Sequence, residues 1–413
     1  METKLSVVTD WRNLRLFLLG QFISSFGTLI QKYSVSLYVL NKTGSSQIFT
    51  ILMVITTLPG VLFGPLGGVL GDRRNKRNSM IFLDFLSSAI LFVFVLLFTG
   101  FNDNTLLICI CAFLLAVINA FYFPVANGAI PFLAAKEDLV KANSYNTATV
   151  TISNVVAPIV AGFLSSFLDI KKIMILSAIA FFSSALVEII MQIDESKPEL
   201  IEKVSVWEDM KIGLVYVKEH SVIKSIIICS CVCNLLIMPI YSVTIPYIVK
   251  IICLFSDAQY GQIEAGVMAG MIVGTIVIGL FAKKVKLKNI LGFSIITIGV
   301  GMAAMVALLI IIENYNLEGT YRAFLVLLLI CFVVGCVISV MSISLTSLTQ
   351  SHVEREIYSR ISSLVISISN AIIPLGQVLV GAVMGVIYTP LLMGIISISL
   401  FGTGIYYLSQ KTL

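Results

Sequence analysis

Long apolar runs separated by short polar ones set the rhythm of this chain from end to end. A helix crosses a hydrocarbon core of about 30 Å in about 20 apolar residues. Runs of that kind recur at 16–40, 46–70, 79–99, 104–133, 140–167, 172–192, 222–249, 259–282, 289–312, 321–349, 357–387 and 390–409. Backbone groups find no partner in lipid, so these runs are predicted to be helices. The longer ones fit tilted or projecting spans. One long polar stretch, 193–221, divides the pattern into two sets of six. Within it Val206, Met210, Gly213, Leu214 and Val217 fall at helical spacing, as in an amphipathic helix lying in a membrane surface. The expected fold is therefore all-α and integral to the membrane, with twelve transmembrane helices in two pseudo-symmetric six-helix halves. Residues 1–192 form the first half, 193–221 a cytoplasmic linker, and 222–413 the second half.

Composition fits a lipid solvent. Apolar residues make up 58% of the chain and charged ones 12%, against about 25% charged in soluble domains. The net charge of +5 does not point to nucleic acid, because the basic residues sit in short loops and form no continuous stripe. Positions 1–15 are largely polar, and the run that follows is long enough to span and stay, so no cleaved leader is expected.

Loop charge sets the orientation. Arg73, Arg74, Lys76 and Arg77 follow the second run, and Lys283, Lys284, Lys286 and Lys288 follow the eighth. With both termini in the cytoplasm, these clusters and most other Lys and Arg stay inside, leaving Lys42, Lys171, Lys172, Lys250 and Arg322 outside. The expected location is the cell membrane, as a multi-pass protein. Cys229, Cys231 and Cys233 resemble a metal signature, but residues two apart on a helix do not share a face, so buried thiols are expected. His220 and His352 lie near loops, so neither metal nor nucleophile is assembled. Neither Ser–His pairs nor His–Glu metal motifs occur within the spans, and Gly-x-x-x-x-Gly-Lys-Ser/Thr is absent. An enzyme is not expected, and no cofactor beyond a proton gradient.

The halves repeat one another. Ile152-Ser153-Asn154 followed by Pro158 in the fifth run matches Ile368-Ser369-Asn370 followed by Pro374 in the eleventh. Gly60, Gly64 and Gly68 match Gly266, Gly270 and Gly274, and Tyr33-Ser34-Val35-Ser36 matches Tyr241-Ser242-Val243-Thr244. Each match alone is weak, since small residues every four positions commonly serve helix packing. Together, in corresponding spans, they argue for duplication, and a duplicated bundle with a site between its halves is transporter architecture.

The stretch Gly68-Val69-Leu70-Gly71-Asp72-Arg73-Arg74-Asn75-Lys76-Arg77 resembles the signature loop of the major facilitator superfamily, with Asn75 where a Gly is usual; Asn tolerates a left-handed turn. Ala157-Pro158-Ile159-Val160-Ala161-Gly162 resembles the family's antiporter motif with two Gly replaced by Ala, placing Pro158 and Gly162 in that role. The chain is most similar to the bacterial drug and macrolide exporter branch, which includes siderophore exporters, through Met238-Pro239-Ile240, Glu264 ahead of Gly270-Met271, and 127–145. The resemblance implies a gating loop of Gly68, Asp72, Arg73, Lys76 and Arg77. In that role Asp72 is a charged latch that bonds a basic residue or a helix N-terminus. Topology alone is the plainer reading, and it accounts well for Arg74 and Lys76.

Ionisable side chains inside spans are costly and mark function. Glu264 has Tyr260, Gly261, Val267 and Met268 as helical neighbours and no charge among them, which suits a proton-exchanging carboxyl. An outer-end carboxylate that reaches water is the plainer alternative. Lys32, beside Gln31 and Tyr33, needs a carboxylate, water or an anionic substrate group, or else snorkels outward. A Lys32–Glu264 pair would break when the Glu is protonated. Asp84 lies near the signature loop and suits hydrogen bonding at a gate more than substrate contact, while Glu188 is expected to reach water. Gln31, Tyr33, Asn119, Tyr122, Asn234 and Tyr241 are candidates for a substrate cavity, although for the amides helix bridging is the default.

These readings converge on a monomeric secondary transporter in the bilayer that exports an amphipathic small molecule in exchange for protons. Uptake by proton symport, or movement of a lysophospholipid or other lipid on the same fold, is the alternative.

Overall fold

A computed structural model describes residues 9–100, 104–135, 137–193, 215–281, 286–353, 358–384 and 386–410. Among these, twelve helical spans are long and apolar enough to cross a membrane. They are α1 Trp11–Thr43, α2 Ser46–Arg73, α3 Lys76–Gly100, α4 Thr105–Leu133, α5 Leu139–Phe167 and α6 Ile170–Ile190, then α7 Ser221–Ile252, α8 Asp257–Phe281, α9 Leu287–Tyr315, α10 Tyr321–His352, α11 Tyr358–Ala371 with α12 Ile373–Val383 as one span, and α13 Thr389–Ser409. The surface helix expected around Val206, Met210, Gly213 and Leu214 lies outside the described residues, and only 215–219 of that stretch is seen as helix.

Helix ends follow local chemistry. Asn104 caps α4 by accepting from the Leu106 N–H at 2.9 Å, and Asn75 caps α3 by accepting from the Asn78 N–H at 2.8 Å. Asn75 is not left-handed, because among the described non-glycine residues only Leu254 and Asn316 have positive φ. The residue that stands where the family usually has Gly is thus a helix cap.

Prolines shape the spans unequally. Pro158 sits inside an unbroken α5. Its counterpart Pro374 follows a break at Ile372 that separates α11 from α12, as expected when a Pro removes a donor and clashes with the preceding turn. In α7, Pro239 ends the regular helix, and π-helical turns at Ile240–Thr244 and Ile248–Ile252 flank a short piece that carries Pro246. Such turns relieve a disturbed hydrogen-bond ladder and often mark functional positions.

Contacts sort the chain into two compact units, Met1–Val39 with Ile55–Glu199, and Leu40–Val54 with Leu200–Leu413. The core of the first includes Leu14, Phe17, Met80, Leu83, Val125 and Ala129 from α1, α3 and α4. In the second, α8 and α10 lie backbone to backbone. A Cβ on Gly270 or Gly274 would strike the Phe332 or Cys336 carbonyl, and one on Gly335 would strike that of Val267. The segment Leu40–Val54 is held in this unit by polar bonds. Asn41 Nδ2 donates to Asp257 Oδ1 at 3.0 Å, Asp257 pairs with Lys250 Nζ at 2.5 Å, and Ser46 Oγ donates to the Met384 carbonyl at 2.8 Å.

Candidate functional site

The first unit encloses a cavity of about 320 Å³. Its wall takes Ser24, Gln31 and Lys32 from α1, Asp84 from α3, and Asn119 and Tyr122 from α4. Apolar groups such as Leu115, Ile118 and Phe181 complete it, and Gly60 and Gly64 of α2 face it. A Cβ on either glycine would meet nothing within 4 Å, so these two leave open space where their counterparts in α8 make close packing. Lys32 is exposed on this wall, whereas Asp84 is only 1% exposed and accepts from Ser24 Oγ at 2.9 Å.

Glu188 does not reach water. It is 0% exposed and accepts from the Tyr122 hydroxyl at 3.0 Å through Oε1. The sequence places it near a helix end, which suggests solvent, but α6 turns this face into the bundle. Its backbone carbonyl accepts from Arg77 Nε at 3.1 Å, and the Ile189 carbonyl accepts from Arg77 Nη2. Arg77 thereby satisfies carbonyls that a helix C-terminus leaves open. Lys76 is likewise more than a topology marker. It is 6% exposed and lies 4.4 Å from the centre of the Phe132 ring, against Gly128 of α4. The side chains of Gly68, Asp72 and Arg73 lie outside the described set.

In the second unit Glu264 is 2% exposed, which excludes the solvent-reaching alternative. Its Oε1 accepts from the Tyr260 hydroxyl at 3.0 Å, and its Oε2 accepts from the Tyr241 hydroxyl. Tyr260 comes from the preceding turn of α8, while Tyr241 stands on the first π turn of α7. Sequence reasoning treats Tyr241 as a cavity aromatic; the structure makes it a partner of the carboxyl. The cavity beside it, walled by Ile237, Met305 and Cys331 among others, holds only about 10 Å³, the scale of a single water.

The other candidates are dispersed. Tyr33 is half-buried and does not line the large cavity. Asn234 donates to the Ser369 carbonyl at 2.8 Å and so bridges α7 to α11. Pro158 and Gly162 are buried in α5. Cys229 and Cys233 are buried and Cys231 is half-buried. Among the described residues no His, Cys, Asp and Glu group suited to a metal is found.

The profile of the Major Facilitator Superfamily matches residues 17–377. Macrolide efflux protein A of Streptococcus pyogenes is 24% identical over 381 residues, covering 91% of this chain and 88% of that protein. The protein of the same name from Enterococcus faecalis is 22% identical, covering 81% and 99%. Among solved structures, a mutant of the nucleoside transporter NupG aligns with a TM-score of 0.77 at 13% identity, covering 96% of this chain and 99% of that one. A bacterial homologue of the iron transporter ferroportin aligns with a TM-score of 0.73 at 17% identity, covering 97% and 100%.

Proposed function

This chain belongs to the Major Facilitator Superfamily and is a multi-pass membrane transporter, and from that premise we propose that it exports an amphipathic small molecule in exchange for protons. Drug-like, macrolide-like or siderophore-like chemistry fits the substrate, and rocking between two access states fits the duplicated halves. The observation that carries the reading is the cavity of the first unit, which joins the charges of Lys32 and Asp84 and the amides of Gln31 and Asn119 to an apolar wall. Such a surface suits a molecule with a polar or charged end and a large apolar body. Export is favoured over uptake by the similarity to macrolide efflux proteins.

Glu264 is the group best placed to couple protons in the second unit. The ionised carboxyl accepts two phenol hydrogens. Once protonated it has a hydrogen to donate, and one phenol must change from donor to acceptor. Because Tyr241 stands on a π-helical turn of α7, that exchange of roles falls where the helix ladder is already irregular. The excess of Lys and Arg in the loops after α2 and α8 supports a cell-membrane protein with both termini in the cytoplasm.

The test is accumulation of labelled erythromycin in cells that express the protein, with and without an uncoupler. Expression should lower accumulation, and the uncoupler should restore it. Efflux that ignores the uncoupler would refute proton exchange, and unchanged accumulation would refute the macrolide-like substrate.

A further inference from the structure

Two acidic side chains lie buried in the first unit on neighbouring helices, Asp84 of α3 and Glu188 of α6. Among the described residues neither is bonded to a cation, and Asp84 Oδ2 and Glu188 Oε2 have no hydrogen-bond partner. Each has a hydroxyl on its other oxygen. Ser24 Oγ donates to Asp84 Oδ1 at 2.9 Å, and Tyr122 donates to Glu188 Oε1 at 3.0 Å. Ser24 and Tyr122 line the same cavity wall, each with its one proton turned to its own carboxyl. Ser184 also faces Asp84, but a hydroxyl has one proton, and that of Ser184 goes to the Gly20 carbonyl at 2.9 Å. The cations placed about these four are Lys32, on the same cavity wall as Asp84, and Arg77, bonded to the Glu188 and Ile189 carbonyls. Gln21 of α1 is buried as well.

Two bare carboxylates in such a place, with no bonded cation, carry a desolvation cost that one hydroxyl bond to each offsets only in part. One proton shared by the pair removes the second charge and most of that cost. We propose that Asp84, Ser24, Tyr122 and Glu188 form a relay that stores one exchangeable proton and passes it between the cavity and the Arg77 end of α6. The transfer balances at every atom. When Asp84 is protonated it becomes the donor, and the Ser24 hydroxyl turns from Asp84 towards Tyr122. Asp84 then gives its proton to Ser24 Oγ, Ser24 gives its own to the Tyr122 oxygen, and Tyr122 gives its own to Glu188 Oε1. Asp84 ends ionised, Glu188 ends protonated, and each hydroxyl keeps one hydrogen. Reversal returns the proton to the cavity wall, where Asp84 can exchange it with water or with a cationic substrate.

This inference rests on the proton-exchange reading above, and its test separates the two. Infrared spectra of the purified protein, stepped from acid to alkaline pH, report the carboxylic C=O stretch directly and without substrate. The wild type should lose a buried carboxylic band, and Asp84→Asn and Glu188→Gln should each alter it. In vesicles, flux of labelled erythromycin driven by a pH gradient should fall on the order of tenfold or more in both variants. Tyr122→Phe keeps the ring and its packing but not the hydroxyl, so it should retain the band and still slow the flux about tenfold. It answers the question even where a carboxyl variant fails to fold. A wild-type spectrum with no titrating band, a band indifferent to both carboxyl substitutions, or full flux in Tyr122→Phe would overturn the relay. A titrating band that depends on both residues, alongside wild-type transport indifferent to pH gradients, would refute proton exchange while leaving the shared proton in place.

Discussion

Glu264, Glu188 and Asp84 look alike in the sequence, as single acids in apolar runs, yet each meets a different set of hydroxyls in the structure. Glu264 has two tyrosines, Glu188 has one, and Asp84 has a serine. The tyrosine pair should make Glu264 the more sensitive coupling group. Glu264→Gln is expected to abolish substrate movement against its gradient in vesicles while leaving downhill exchange, and equal uphill transport would remove it from the mechanism. Tyr260→Phe should cost about tenfold, the effect of one hydrogen bond to a charged group. Arg77 bonds two carbonyls at the end of α6, so Arg77→Ala should lower stability by about 1–3 kcal/mol. A thermal melt in detergent reads this directly. Arg77→Lys should recover only part, because an ammonium lacks the fork geometry that reaches both oxygens.

Duplicated sequence does not mean duplicated work at the level of helices. Gly270 and Gly274 let α8 lie against the backbone of α10, whereas Gly60 and Gly64 of α2 open onto the cavity. Gly270→Ala and Gly274→Ala force a methyl into a carbonyl and should each destabilise the protein by about 1–3 kcal/mol. Gly60→Ala and Gly64→Ala should leave the melting temperature unchanged and instead alter which compounds are exported. Equal melting losses in all four would show that α2 packs as tightly as α8. The two Ile-Ser-Asn-x-x-x-Pro stretches diverge in the same way, one within a continuous α5 and one beside a break.

At the scale of the molecule, loop charge predicts which side of the bilayer each loop faces. Arg74 and Glu318 are both exposed, on loops predicted to lie on opposite sides. Arg74→Cys should react with an impermeant thiol reagent only after the membrane is opened, and Glu318→Cys should react in intact cells. The opposite pattern would invert the topology. The signature loop is read differently once the bundle is known. Lys76 and Arg77 serve the first unit itself, through Phe132 and the end of α6.

The sequence by itself determined the helices, their number and their solvent, because a span needs an uninterrupted apolar run and lipid permits no other backbone arrangement. The family loop, and Lys32, Asp84 and Glu264 as charges out of place, were legible for the same reason, since an ionisable group in such a run stands out. Tertiary structure alone decided which of them meet. It brought Gln31, Lys32, Asp84, Asn119 and Tyr122 to one wall, gave Tyr241 to Glu264, and buried Glu188 where its place near a helix end suggested water. Helical spacing says which residues share a face, but not which helix that face will find.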